Sequence, residues 1–304
     1  MTTVLITGIA GFIGSNTAEQ LLKKDYNVVG IDNFSTGNKN NIKHFIKKVN
    51  FKRGDVTNLR FLKRIMKNVD YVLHYAALPS VPYSVNHPKE THDVNVKGTF
   101  NVLLAARDSG VRKVIFASSS AVYGNTNKLP IKEGQELNPF SPYAAHKIIG
   151  EQYCKLFYNV YGLRTTSLRY FNVYGPRQNP NSEYAAVIPK FLSLMKKGKK
   201  PIIYGDGKQT RDFIFVDDVI KLNLLAMKSK KSDGKVYNVA SGKRTSVLEL
   251  VEIMNEVLGT DLKPIHEKSR PGDVKHSYAN VSKAKSDLKF KSQINLQQGI
   301  KIVL

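Results

Sequence analysis

A single cysteine, Cys154, in 304 residues leaves no partner for an intrachain disulfide, which agrees with a reducing compartment. Long apolar runs are also missing: no stretch reaches the ~18 residues of a membrane span. The chain passes from Met1 into the apolar run "VLIT" and then glycines, without the basic region and cleavage site of a signal peptide. A cytoplasmic protein is therefore expected. Acidic residues are scarce, 24 Asp and Glu against 47 Lys and Arg, for a net charge of +23. Such a balance can mean nucleic acid, an anionic membrane surface or acidic substrates. The lysine pairs beginning at Lys23, Lys47, Lys196, Lys199 and Lys230 are spread along the chain, however, and no zinc-finger spacing or aromatic-basic ribonucleoprotein motif occurs. No nucleic-acid partner, membrane partner or metal is expected, and no repeat or low-complexity tract is present.

What is there fits a folded globular protein, 41% hydrophobic and 10% aromatic. The first 170 residues or so alternate short apolar runs with helix-length segments. Strands are expected at Thr3–Thr7, Asn27–Ile31, Val49–Gly54, Asp70–Tyr75, Lys113–Ser118 and Arg164–Tyr170, with "NVKGTFNVLLAARDSG" a helix capped at Gly110. This pattern predicts an α/β fold, a doubly wound parallel sheet of Rossmann type. Past Asn172 the chain changes character. "NVYGPRQNPNSEYAA" reads as a long surface loop, followed by helical stretches "VIPKFLSLMKKG", "VDDVIKLNLLAMKS" and "SVLELVEIMNEVLG" and strand-like runs such as "KVYNVAS". The expected division is residues 1–172 as a dinucleotide-binding domain and 173–304 as a smaller α/β substrate-binding lobe, with some chain crossing between them.

"TGIAGFIG" follows the first strand directly. Gly8, Gly11 and Gly14 permit a tight turn, close backbone approach to a pyrophosphate and close helix packing. The second strand runs into Asp32, a carboxylate that can accept from ribose hydroxyls and repel a 2′-phosphate, favouring NAD over NADP; alternatively Asp32 is a turn residue. Asp55 in "RGDVTN" could reach the adenine amino group or cap the helix beginning near Thr57. "FASSSAVYG" puts serines at a strand's carboxyl end, facing a ligand crevice or forming a turn. Tyr143 and Lys147 in "SPYAAHK" share a helix face. With Ser119 they offer what proton-coupled hydride transfer from an alcohol requires: a phenol whose phenolate adjacent positive charge favours, and a hydroxyl to share the proton. Alone, the pair could belong to any amphipathic helix.

In order, "TGIAGFIG", "DN", "SSSAVYG", "SPYAAHK", "LRYFNVYGPRQ", "GDGKQTRDFIFVDD" and "RPGDVKHSYANVSKA" make the chain resemble, over nearly its whole length, the extended short-chain dehydrogenase/reductases, most closely the UDP-sugar 4-epimerases. The resemblance implies Ser119, Tyr143 and Lys147 as catalytic residues. It implies an NAD site formed by Gly8, Gly11, Phe12, Ile13, Gly14, Asp32, Asn33, Asp55, Val56, Ala76, Asn95, Ser118, Tyr143, Lys147 and Tyr170. It implies a UDP-sugar site formed by Ser80, Ser119, Tyr143, Asn172, Ala186, Val187, Tyr204, Arg211, Arg270, Asp273 and Ser277. Asn172, Arg211 and Arg270 would hold the diphosphate, with Asp273 near the uridine ribose. A homodimer through the helices around Asn95–Arg107 and Tyr143–Tyr161 is implied as well.

The chain is somewhat shorter than the longer epimerases, so loops around the substrate are expected to be trimmed. Ser277 stands where a bulky tyrosine tends to exclude N-acetylated sugars, which suggests that both plain and acetylated hexoses are admitted. Rival expectations are a UDP-glucuronate decarboxylase, a nucleotide-sugar 4,6-dehydratase, and an inert NAD-sensing binding protein. The dehydratase needs an Asp-Glu pair where Ser120 and Ala121 stand, and neither of these does acid/base work near neutrality.

Overall fold

The computed structural model describes residues 1–179, 187–269 and 274–304. The first half alternates β1 (Thr3–Thr7), α1 (Phe12–Leu22), β2 (Asn27–Asp32), β3 (Asn50–Arg53), α2 (Leu59–Ile65), β4 (Tyr71–His74), α3 (Val81–Asn86) and α4 (Pro88–His92). A wide π turn, Asp93–Lys97, leads into α5 (Gly98–Asp108), β5 (Lys113–Ser119), α6 (Pro142–Tyr161), β6 (Arg164–Tyr170) and β7 (Asn172–Tyr174). Then come α7 (Val187–Met195), β8 (Ile202–Tyr204), β9 (Thr210–Arg211), β10 (Phe213–Phe215), α8 (Val216–Lys228), β11 (Lys235–Val239), β12 (Thr245–Ser246), α9 (Val247–Leu258), β13 (Ile265–Glu267), α10 (Ser282–Leu288) and α11 (Leu296–Val303).

Among the described residues seven parallel strands form one sheet in the order β11-β6-β5-β4-β1-β2-β3. The period of two along each strand feeds both faces. Val4 and Ile6 of β1 join one apolar layer with Leu21, Ile115, Leu222 and Tyr237, whereas Leu5 joins the other with Leu62, Val102, Phe116 and Phe157. Fully burying one such Leu or Ile contributes about 1.5–3 kcal/mol, so the sandwich is the main source of stability. A third cluster gathers Tyr174, Phe191, Phe213, Phe215, Leu250 and Ile300 around the second half's helices.

Two expectations change. The "NVYG" stretch is not all loop: its first residues are β7, paired in parallel with β10, and Tyr174 is buried because it packs on Phe215. Lys235–Val239 lies in the large sheet beside β6, with Tyr237, Asn238 and Val239 fully buried. A strand from beyond residue 173 thus completes the large sheet. Gly110, at φ +68°, ends the α5 segment as expected, its N–H bonding the Arg107 carbonyl. No helix among the described residues is long and apolar enough to cross a membrane.

Candidate active site

Strand order reverses at β1, which lies between β4 and β2, so a crevice opens at the carboxyl ends of β1 and β4. The β1–α1 turn forms its floor. Gly8 adopts φ +74°, and a Cβ on it would lie 2.9 Å from the Ala76 nitrogen. A Cβ on Gly14 would lie 2.1 Å from the Gly8 carbonyl oxygen, and one on Gly11 3.2 Å from the same atom. Gly11 is the N-cap of α1 and makes no side-chain cap, so the helix's first N–H groups stay available to an anion. This side-chain-free cradle fits a dinucleotide pyrophosphate. Phe12 and Ile13 pack their half-buried side chains against apolar clusters.

Asp32 is the last residue of β2 and opens the turn that follows it. Its carboxylate accepts from Ala10 N–H at 2.9 Å and Phe34 N–H at 2.8 Å, and burial nevertheless pushes its pKa up. Asn33 donates to Asp55 at 2.7 Å, joining the ends of β2 and β3. Asp55 does not cap α2: Asn58 does, accepting from Phe61 N–H at 3.0 Å. Asp55 instead accepts from both the N–H and the hydroxyl of Thr57. Burial raises its pKa, but those bonds and that from Asn33 hold it below the ordinary value. Val56 is buried against α5, where Gly98 leaves room for it.

Asn95 spends both amide atoms on the main chain of Leu78, at 2.8 and 3.0 Å, and so fixes the loop that follows Ala76. Behind it, His74 bridges Thr7 at 2.7 Å and Thr99 at 3.0 Å. Burial, with Lys147 nearby, depresses this imidazole to about 3, leaving it neutral. Tyr170 does not present its hydroxyl to the crevice, because it donates to Asn223 of α8 at 2.9 Å.

The "SPYAAHK" segment folds as a capped helix start. Ser141 is the N-cap and accepts from Ala144 N–H at 3.1 Å, Pro142 occupies the first turn, and the Tyr143 N–H donates to Ser84 Oγ at 3.1 Å. Ser119 faces the Tyr143 hydroxyl and favours its ionised form, while its own Oγ accepts from Ala121 N–H at 3.2 Å. Lys147 Nζ donates to the Ala117 carbonyl at 2.7 Å and stands 5.6 Å from the Tyr143 ring centre. The expected trio is therefore assembled. Burial dominates and raises the phenol's pKa, with Ser119 opposing it. Burial also pushes Lys147 down to about 8, against the pull of Glu151 and Cys154. Ser118 points away from the crevice, donating to the Glu151 carboxylate.

Of the residues expected to meet a substrate, Ser80 is the N-cap of α3 and accepts from Tyr83 N–H at 3.1 Å. Asn172 turns its amide and its N–H toward the Asp212 carbonyl. Val187 opens α7 and Tyr204 ends β8, its carbonyl accepting from Gln209. Arg211 donates to the Thr210 carbonyl at 2.9 Å, and Ser277 N–H bonds that same carbonyl at 3.0 Å, so the two share one corner. Ala186, Arg270 and Asp273 lie outside the described residues. Sequence reasoning missed Asp212, whose buried carboxylate collects the N–H and hydroxyl of Ser241 and the N–H groups of Gly242 and Ala279. A lone acid inside "RDFIF" was the available signal.

The β1–α1 cradle and the Ser-Tyr-Lys trio, the one after β1 and the other at the end of β5 and on α6, on either side of β4, form a centre suited to NAD-dependent hydride transfer. The sequence profile of the NAD dependent epimerase/dehydratase family matches residues 4–240, and the chain belongs to that family; its cofactor is NAD. It is similar to a putative UDP-glucose 4-epimerase of Methanocaldococcus jannaschii, 44% identical over 99% of this chain and 97% of that one. Among solved structures it is similar to a UDP-N-acetylglucosamine 4-epimerase from Methanobrevibacter ruminantium in complex with UDP-N-acetylmuramic acid, with a TM-score of 0.95, 41% identity and coverage of 99% and 96%. The UDP-glucose 4-epimerase of Thermotoga maritima with UDP-glucose gives a TM-score of 0.94, 36% identity and coverage of 99% and 97%.

Proposed function

We propose that the protein inverts C4 of UDP-glucose and UDP-galactose through a 4-keto sugar, and that it also accepts the N-acetylated pair. The observation that carries this reading is Lys147, one helical turn on from Tyr143, held with its ammonium 5.6 Å from the Tyr143 ring centre while Ser119 faces the phenol. Tyr143 Oη takes the proton of the sugar's 4-hydroxyl, and Ser119 Oγ shares it. Lys147, anchored on Ala117, holds positive charge near the forming phenolate and reaches the ribose hydroxyls of the cofactor. Bound NAD supplies the hydride acceptor and donor, so no net redox results. Gly8, Gly11, Gly14 and Asp32 hold it. Since burial favours the neutral phenol, cationic neighbours are needed for proton transfer near neutrality.

In this reading residues 1–172 bind the cofactor and 173–304 the UDP-sugar. Arg211 and Arg270 clamp the diphosphate with charge-assisted bonds and Asp273 holds the uridine ribose, while the keto sugar turns over between them. The small Ser277 leaves room for an acetamido group. Exposed Phe100, Leu156, Val160 and Tyr161 on α5 and α6 support a homodimer through those helices. The test is to incubate purified protein, without added cofactor, with UDP-galactose and UDP-GalNAc and to look for the C4-inverted products. A decarboxylated product from UDP-glucuronate, with no inversion of either hexose, would replace this function by the decarboxylase alternative.

A further inference from the structure

One turn beyond Lys147 on α6, Glu151 carries a buried carboxylate. It receives two guanidinium bonds from Arg169 of β6, Nε to Oε1 at 2.8 Å and Nη2 to Oε2 at 2.6 Å, together with the Ser118 hydroxyl. Arg169 Nη1 donates to the Tyr123 hydroxyl at 2.8 Å and the Glu133 carbonyl at 3.0 Å, and Tyr123 donates to Asn238 of β11 at 2.6 Å. Glu151 and Arg169 are 3% and 4% exposed. A buried ion pair seldom stabilises more than apolar side chains of equal size, because both charges must be desolvated, so its presence here calls for another cause. The neighbouring residues supply one. Ala117 holds Lys147 and Ser118 holds Glu151 by hydrogen bonds, and Ser119, next along β5, faces Tyr143, so three successive residues of the strand each meet one position of α6.

We propose that Glu151 is a positioning residue for proton transfer: with Arg169 and Ser118 it clamps α6 to the ends of β6 and β5 and keeps Lys147 an ammonium beside Tyr143. This rests on the epimerase reading. The groups facing Lys147 are Tyr143, His146, Glu151 and the Cys154 thiol of α6 and the neutral His74 of β4. Those facing Glu151 are Arg169 of β6, Tyr123 beyond β5, and Cys154. Of these, Glu151 is the carboxylate that opposes the loss of Lys147's proton on burial. Without it the Arg169 guanidinium stands unpaired, and a second buried cation disfavours the first.

The experiment compares wild type, Glu151→Gln and the double variant Glu151→Gln/Arg169→Met, which removes both charges in case the single variant does not fold. Two readouts are taken on NAD-loaded protein. One is the pH profile of UDP-galactose turnover. The other is the titration of the Lys147 ¹³Cε resonance in lysine-labelled protein, assigned with Lys147→Met. Expected in the single variant is a Lys147 titration lower by about one pH unit or more, roughly tenfold in its ionisation constant, with the basic limb of turnover moving the same way; the double variant shifts less but in the same direction. Unmoved Lys147 titration in the variants that fold, even with lower turnover or stability, overturns the proposal and leaves the pair a structural brace. Wild type that turns over no UDP-sugar would sink the epimerase reading, and the Lys147 titration would still decide this one.

Discussion

The α-carbon of Gly150 lies so close to the ring of Phe116 that a Cβ there would stand 2.4 Å from Phe116 Cζ. Helix α6 therefore rides directly on β5, and Tyr143, Lys147 and Glu151 inherit their depth in the fold from that contact. Phe116 is itself buried in a full core layer and has nowhere to retreat. Gly150→Ala is expected to lower stability by about 1–3 kcal/mol from overpacking, partly offset by ~1 kcal/mol of better helix propensity. Displacing α6 also misplaces the trio, so kcat falls up to about 100-fold. Urea midpoints and turnover measured together check this, and full activity in a destabilised variant would show that α6 does not set the geometry.

Tyr143→Phe removes a hydroxyl that Ser119 faces, and Ser119 keeps its bond from Ala121. The fold and the NAD content should persist while kcat drops about 10²–10⁴-fold, the range for a lost acid/base group. Product formation by the purified variant is the measurement. Unchanged turnover would show that the Tyr143 hydroxyl is not the group that moves the proton.

Gly14→Ala would set a methyl 2.1 Å from the Gly8 carbonyl oxygen, against main chain that cannot swing away. The β1–α1 turn must then open, and the cradle with it. Protein purified from this variant should carry little NAD, read by absorbance and mass spectrometry, and should melt at lower temperature. Wild-type NAD content would mean that the pyrophosphate does not sit in this turn.

His74, depressed by burial to about 3, gives the pH prediction. Its folded pKa lies below the unfolded value of about 6.5, so the folded protein binds fewer protons in that window. The stability this residue contributes is complete above about pH 6.5 and is lost as pH falls toward 3, at up to about 1.4 kcal/mol per pH unit. His74→Gln can still accept from Thr7 and donate to Thr99, and it does not titrate. The difference between wild-type and variant urea midpoints should therefore shrink or reverse as pH falls from 6.5 to 4. Asp212, pushed up to about 6, works oppositely, favouring the folded state less as pH rises through that value. A difference flat across the range would show His74 to be charged or exposed when folded.

Local chemistry in the sequence already specified much of this protein. Glycines 8, 11 and 14 between a strand and a helix mark the nucleotide turn because a Cβ on Gly8 or Gly14 would collide with main chain, and the Ser-Pro-Tyr start of α6 contains its own cap. Six of the seven sheet strands were legible for the same reason, since hydrophobic period and turn residues are short-range signals. The seventh, Lys235–Val239, joined the sheet only through pairing with β6 across the chain, which sequence spacing does not reveal. The same holds for the cap of α2 passing to Asn58, for Tyr170 facing Asn223 and for the Glu151–Arg169 clamp. Each depends on which atoms burial brings together, and burial also set the direction in which Tyr143 and Lys147 depart from their ordinary acidities.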